Sequence, residues 1–506
     1  MKEIKKKYDV VIIGSGMAGL TSAVILSRHG YSVCVLEKNN QFGGNLQTFT
    51  RDKQLFDTGV HYLGGLGKGE NLHQYFKYLG IMDDLNIKKM DEDAFDIVTF
   101  GDDPVEYCYA QGYDKFSKRL KEYFPDEKKA IDDYCTKMQE LCDSFPLYNL
   151  KKESIYNLKM LGIKLIDFLN SITDNKKLIS VLLGTNLLYA GTENTPLYVH
   201  ALSVNSYITS SWRCVDGGSQ ISRLLIKQIK KNGGELFKYQ EVIDFGVKNN
   251  EIETVITKSG IEVHADYFIS NIEPKLTLKM LKGRVLKKSY FNRVEKIKSM
   301  ISIFSIYVVL KPETFEYFNN NIYHFNRSDK VWFTEGYDKK SWPESYMISL
   351  GRKKNQGKWA HTLTVMTYMD FNEFSKWKDT VNTVALESKR GEDYEKFKEK
   401  KVQQVIDEIE KKFPNFRDCI RSVHSSTPLS NRDYIGSDNG AIYGYEKDAD
   451  NPLASLLSPK TKSKKLFFTG QSLNMHGILG VAISGVLTCS HILGKEKIMR
   501  SIQAAL

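Results

Sequence analysis

Residues 8–20 read Tyr-Asp-Val-Val-Ile-Ile-Gly-Ser-Gly-Met-Ala-Gly-Leu, and Glu37 closes the next apolar run. Tyr8–Ile13 is β-branched and ends in glycine. Met17–His29 carries a helical pattern closed by Gly30, and Ser32–Leu36 reads as a second strand. The three make a β-α-β unit of about 30 residues, the usual length of such a unit. Gly14, Ser15, Gly16, Met17, Ala18 and Gly19 fall at the strand-to-helix turn. Glycines there permit the tight turn, the approach of backbone to a pyrophosphate, and close helix–strand packing. The helix start turns free N–H groups and its positive dipole end toward the phosphates. Glu37 stands 18 residues after Gly19, at the end of the second strand, placed to accept hydrogen bonds from an adenosine ribose. An acid there selects against a 2′-phosphate, so the motif fits FAD or NAD better than NADP.

Working outward, Glu37 and Lys38 are followed by a second glycine pair, Gly43-Gly44, and then by Asn45. Glycines at that point let the chain turn back over the pyrophosphate, which favours FAD. Asp57-Thr58-Gly59-Val60-His61-Tyr62 comes next. Gly65-Leu66-Gly67-Lys68-Gly69 lacks a strand–helix context and reads as a loop, so no second dinucleotide site is indicated. Further along, Asp216-Gly217-Gly218 leads into an amphipathic helix. Residues 300–311 and 360–370 read as long strands of a second sheet, 394–411 as a charged helix, and 70–210 as mostly helical. Lys465–Gly470 is a last strand before a Gly-rich apolar helix.

With 506 residues the chain exceeds one compact core, which predicts two interleaved domains of roughly 200–300 residues each. Hydrophobic content of 41% and charged content of 26% are those of an ordinary folded protein, and no repeat or low-complexity tract occurs. The net charge of +11 is spread along the chain without a nucleic-acid motif, so a Lys-rich solvated surface is expected, a membrane-facing basic surface is its main competitor, and a nucleic-acid partner is not expected. Seven cysteines, an odd number with no CxxC pair, argue against a disulfide framework and a zinc site and fit a reducing, cytoplasmic compartment. The basic-then-apolar start is a strand entering a glycine motif, not a targeting segment. Residues 477–494 are long enough for a membrane span but rich in Gly and Ser, and are expected as a buried helix.

The pattern Glu37-x5-Gly43-Gly44-x3-Thr48-Phe49 followed by Asp57-Thr58-Gly59-x-His61-Tyr62 resembles the FAD-dependent phytoene desaturase, carotenoid isomerase and retinol saturase superfamily. The likeness continues at Asp216-Gly217-Gly218-Ser219-Gln220, Ser426-Thr427-Pro428-Leu429, Arg432-Asp433-Tyr434 and Phe468-Thr469-Gly470-Gln471 with His476-Gly477. It spans nearly the whole chain, is weakest at 85–190, and is closest to the retinol saturase and carotenoid isomerase branch. It implies an α/β, two-dinucleotide-binding-domain (Rossmann-like) flavoprotein with an inserted α+β substrate domain. Residues 1–70, 213–275 and 420–506 would bind FAD, and 71–212 and 276–419 the substrate. It further implies that Val242 meets adenine through its backbone, and that Gly470, Gln471, Gly477 and Ile478 face the flavin. Two departures stand out: Asn45, where many relatives carry Arg, and Gln471, where desaturases often carry Asp.

The implied activity is oxidoreduction or isomerisation at carbon–carbon bonds of a hydrophobic polyene or isoprenoid, with the electron donor or acceptor unspecified. His61 and Tyr62 are candidate acids, and Tyr207 and Trp212 candidate substrate contacts; packed aromatics are the plain alternative for each. Residues 155–172 have helical apolar spacing, readable either as a helix lying on a membrane surface or as one facing the core. Two other readings share the fold: an amine oxidase-type flavoprotein, and a non-enzymatic prenyl-binding protein like the Rab-escort and GDP-dissociation-inhibitor proteins.

Overall fold

The run Lys7–Ile13 is buried at nearly every position beyond its first residue, as a central strand covered on both faces must be. In a computed structural model of the protein, which describes residues 3–150, 158–332, 336–384, 386 and 388–505, this strand lies between Val33–Leu36 and Glu262–Ser270, parallel to both. Glu235–Phe237 extends the parallel sheet beyond Val33–Leu36. Leu466–Phe468 lies parallel to the end of Glu262–Ser270, and the hairpin Val242–Lys248/Glu251–Thr257 runs antiparallel to its start. Segments far apart in sequence thus share one seven-stranded Rossmann-like sheet.

The helix Met17–Arg28 is buried from Met17 to Ser27, so it has no solvated face. It packs against Ser219–Lys231 and against Gly477–Leu493. The second crossing needs Gly485, because a Cβ there would stand 2.8 Å from the Ala18 carbonyl oxygen. The apolar C-terminal helix is therefore a core element, as expected. At 17 residues it is about 25 Å long, and among the described residues no helix is long and apolar enough to cross a membrane.

The second sheet runs Ile420–Ser426, Ser302–Leu310, Thr362–Met369, Ser345–Leu350, Asn321–Phe325, Asp96–Phe100, Asp103–Tyr109. Only Asn321–Phe325 and Asp96–Phe100 pair in parallel. One face, with Phe304, Ile306, Ile348 and Val365, packs on Val402, Val405 and Ile409 of the helix Glu392–Lys412. By alternation the other face carries Ile303, Met366, Met347, Tyr323 and Asp96 toward the nucleotide-type domain.

Residues 70–210 depart from the helical expectation at Ile87–Lys89, Asp96–Phe100 and Asp103–Tyr109, all strands. The stretch 155–172 is not one helix. Residues 155–157 lie outside the described residues, Leu158–Gly162 is a 3-10 turn, and Lys164 is extended ahead of the helix Leu165–Ile172. Leu165 and Leu169 are buried, and their helix packs on Lys128–Asp143 and Leu197–Thr209. The core-facing reading of this segment is the one the packing supports.

Candidate dinucleotide and substrate site

Each glycine of the first loop serves a different need. Gly14 sits at φ +89°, a left-handed conformation that glycine alone adopts cheaply. A Cβ on Gly19 would lie 2.6 Å from the Gly14 carbonyl oxygen, and one on Gly16 2.8 Å from the Asn271 side-chain nitrogen. The helix that follows has no side-chain cap, so its first N–H groups remain open to a ligand. Glu37 is buried and already shaped: Oε2 accepts from Ser15 N at 3.0 Å, and Oε1 from Asn39 N at 2.9 Å. The second glycine pair, at φ +120° and +56°, folds back so that Gly43 N donates to Ser15 Oγ at 3.1 Å. The Asp57 and Gly218 motifs also meet, through a 2.6 Å bond from Gly218 N to Asp57 Oδ1. Burial pushes the Asp57 carboxyl up to about 6.

A cavity of about 540 Å³ runs from this loop to the second sheet. Gly14 to Ala18, Glu37, Lys38, Gly43, Gly44, Asn45 and Val242 line one stretch of it; Gly470, Gln471, Gly477 and Ile478 line another. The C-terminal helix also starts without a side-chain cap, behind His476. Two helix N-termini therefore open on one cavity. Gly470, at φ +113°, is fixed by its N–H to Ser484 Oγ, 2.9 Å. Beyond, the wall becomes apolar and aromatic with Leu188, Ile303, Met347, Met366, Tyr207 and Tyr443. Among the described residues, the carboxylates lining the cavity are those of Glu37, Glu241 and Glu273.

His61, Tyr62 and Tyr207 line the cavity; Gly19 and Trp212 do not. Gly19 acts through packing. Trp212 spends its indole N–H on Ser210 Oγ, 2.8 Å away, in a three-stranded sheet with Leu63–Gly64 and Ile87–Lys89, so it makes no wall for substrate. Lys38 donates to the Asp433 carbonyl at 2.7 Å, and burial holds its ammonium below the usual lysine range. Burial, with Arg213 nearby, pushes His61 down to about 4, so its imidazole is neutral near pH 7. His476 is likewise lowered by burial to about 4, and its Nε2 lies 3.0 Å from the Leu188 carbonyl. Tyr62 donates to Asp96, 2.8 Å away. Nothing in the sequence points to Asp96, Tyr323 or Tyr443. Tyr62 and its partner Tyr323 are 261 positions apart, and no spacing rule joins them.

The fold and the loop define the class: an α/β protein built on a Rossmann-like sheet, of which residues 12–79 match an NAD(P)-binding Rossmann-like domain. The putrescine oxidase triple mutant has the same fold, with a TM-score of 0.64 at 14% identity over 98% of this chain and 99% of that one. Sequence likeness is more particular. The all-trans-retinol 13,14-reductase of Danio rerio is 28% identical over 97% of this chain and 86% of its own length. Prolycopene isomerase 2 of an Oncidium hybrid cultivar is 24% identical over 100% of this chain and 87% of its own. The resemblance drawn from the motifs is thus borne out along the whole chain.

Proposed function

We propose that this protein is an FAD-dependent oxidoreductase acting on carbon–carbon bonds of a hydrophobic polyene of retinoid or carotenoid type. One observation carries the reading: the cavity is continuous from a phosphate-type glycine loop, past two uncapped helix N-termini, to an apolar wall. FAD would supply two-electron hydride chemistry there. The amides from Ser15 to Ala18 would hold its pyrophosphate, Glu37 its ribose and the Val242 backbone its adenine. The N–H groups at Gly477 and Ile478 would stabilise negative charge on the reduced isoalloxazine. Gln471 and Asn45 are neutral, so that stabilisation rests on the helix dipole rather than on a cation. The same relatives that show full-length likeness are named for reduction and isomerisation of polyenes, which favours saturation or isomerisation over desaturation. The putrescine oxidase likeness keeps an amine reading in view, but it is one of fold, whereas the sequence likeness over nearly the whole chain is to proteins named for polyenes. A peripheral membrane contact would serve to load such a substrate.

The test is the visible spectrum of the purified protein, reduced anaerobically and mixed with all-trans-retinol. Flavin bands restored by retinol support the proposal. Oxidised bands that putrescine bleaches would move the assignment to amine oxidation, and absence of flavin after reconstitution would remove the redox reading.

A further inference from the structure

Asp96 begins the strand Asp96–Phe100 on the cavity side of the second sheet and has no exposed surface. Its Oδ2 accepts from the Tyr62 hydroxyl at 2.8 Å, and its Oδ1 from Asn321 Nδ2 at 2.9 Å. The Tyr62 hydroxyl is also 2.8 Å from that of Tyr323. Arg213 acts on Asp96 only across Asn321, whose Oδ1 it meets at 3.0 Å. Tyr109, from the neighbouring strand Asp103–Tyr109, also feels the carboxyl. Tyr207, on the helix Leu197–Thr209, leans on Tyr62 with ring centroids 4.3 Å apart and senses the charges of Asp96 and Tyr443. Tyr62 and Tyr207 both line the cavity.

This cluster has two hydrogen-bond polarities. With Asp96 ionised, Tyr62 donates to the carboxylate and Tyr323 donates to Tyr62. With Asp96 protonated, the carboxyl donates to Tyr62 and Tyr62 donates to Tyr323. Switching between them needs rotation of O–H bonds and no displacement of heavy atoms.

We propose that Asp96 is the positioning residue that stores the proton for this site and passes it to Tyr62, which stands at the cavity wall. The inference rests on the FAD reading above. In saturation, the carbon pair loses its π bond and gains two C–H bonds. One hydrogen arrives as hydride from a reduced flavin, which is oxidised by two electrons. The other arrives as a proton from the Tyr62 hydroxyl. Tyr62 is reprotonated by Asp96, leaving a carboxylate that regains its proton from water before the next turnover. Burial supports the role by pushing Asp96 up to about 7, against the lowering effects of Asn321, Tyr62 and Arg213. His61 and His476 are neutral at that pH and hold no imidazolium proton to give.

The FAD-loaded wild type, Asp96→Asn, Asp96→Glu and Tyr62→Phe would be compared in two ways. Without substrate, infrared spectra from pH 5.5 to 8.5 should show a carboxylic-acid C=O band in the wild type that fades around pH 7 and is missing in Asp96→Asn. With all-trans-retinol, the rate of flavin reoxidation in one turnover should fall above about pH 7 in the wild type. Asp96→Asn and Tyr62→Phe should lose about a hundredfold or more in that rate, within the usual range for a general acid. Asp96→Glu should restore both rate and pH dependence in part. A wild-type rate and pH profile in Asp96→Asn, or no titrating carboxyl at neutral pH, overturns the proposal. If retinol fails to reoxidise even the wild-type flavin, the FAD–polyene reading falls, and the infrared titration still decides whether Asp96 holds a proton.

Discussion

Gly16 has φ −61° and ψ 167°, an extended backbone open to any residue. Its glycine is required for space, since a Cβ would meet the Asn271 side chain, itself 3.3 Å from the Gly14 carbonyl oxygen. Gly16→Val should therefore leave the strand and helix intact while forcing the Asn271 side chain off the Gly14 carbonyl and distorting the loop that would hold the pyrophosphate. The expected outcome is a folded, colourless protein with wild-type circular dichroism and no flavin absorbance; a fully yellow variant would sink the nucleotide assignment. Positions of this kind were legible in the sequence because their constraint is local: a turn at positive φ, or an atom within a few residues. Asp96, Tyr323 and Asn321 were not. Each is an ordinary strand residue until the second sheet brings it under Tyr62, and Asp96 and Asn321 are 225 positions apart.

The same contrast holds among elements. The helices flanking the glycine loops and the long strands near 302–310 and 362–369 were readable from period and β-branching. Asp96–Phe100 was not, since five residues carry too little pattern to stand against the helical bias around them. The C-terminal helix was ambiguous by composition alone, and packing resolves it. It crosses Met17–Arg28 at Gly485, where an added Cβ would lie 2.8–2.9 Å from Ala18 and Thr21. Gly485→Leu should overpack this crossing at a cost of about 1 to 3 kcal/mol. Both helices present their N-termini to the cavity, so flavin content should fall together with the melting temperature. Loss of stability with full flavin occupancy would show that the crossing does not set the distance between the two anion-stabilising ends.

For the whole molecule, the buried titratable groups act with opposite signs. Burial raises Asp96 to about 7, Asp57 to about 6 and Glu273 to about 7. The folded state thus binds more protons than the unfolded chain in that range, and stability falls as pH rises from about 4 to 7. The buried His61, His324 and His476, lowered to about 4, make stability rise over nearly the same interval, so the two sets oppose each other below neutrality. Above neutrality Lys447 acts with fewer opponents. Its ammonium donates to the Ser455 and Leu473 carbonyls at 3.1 and 2.9 Å, and burial lowers it from 10.5 to about 7. Between those values the unfolded chain holds the proton and the folded one does not, so this lysine should make stability increase with pH from about 7 to about 9, above which the buried thiols of Cys34, Cys135, Cys142, Cys214 and Cys489, raised by burial, act with the opposite sign. From about pH 7 to 9 the melting temperature should climb more steeply in the wild type than in Lys447→Met. An equal climb in both proteins would mean that the lysine keeps its charge in the fold, and that a larger group elsewhere controls alkaline stability.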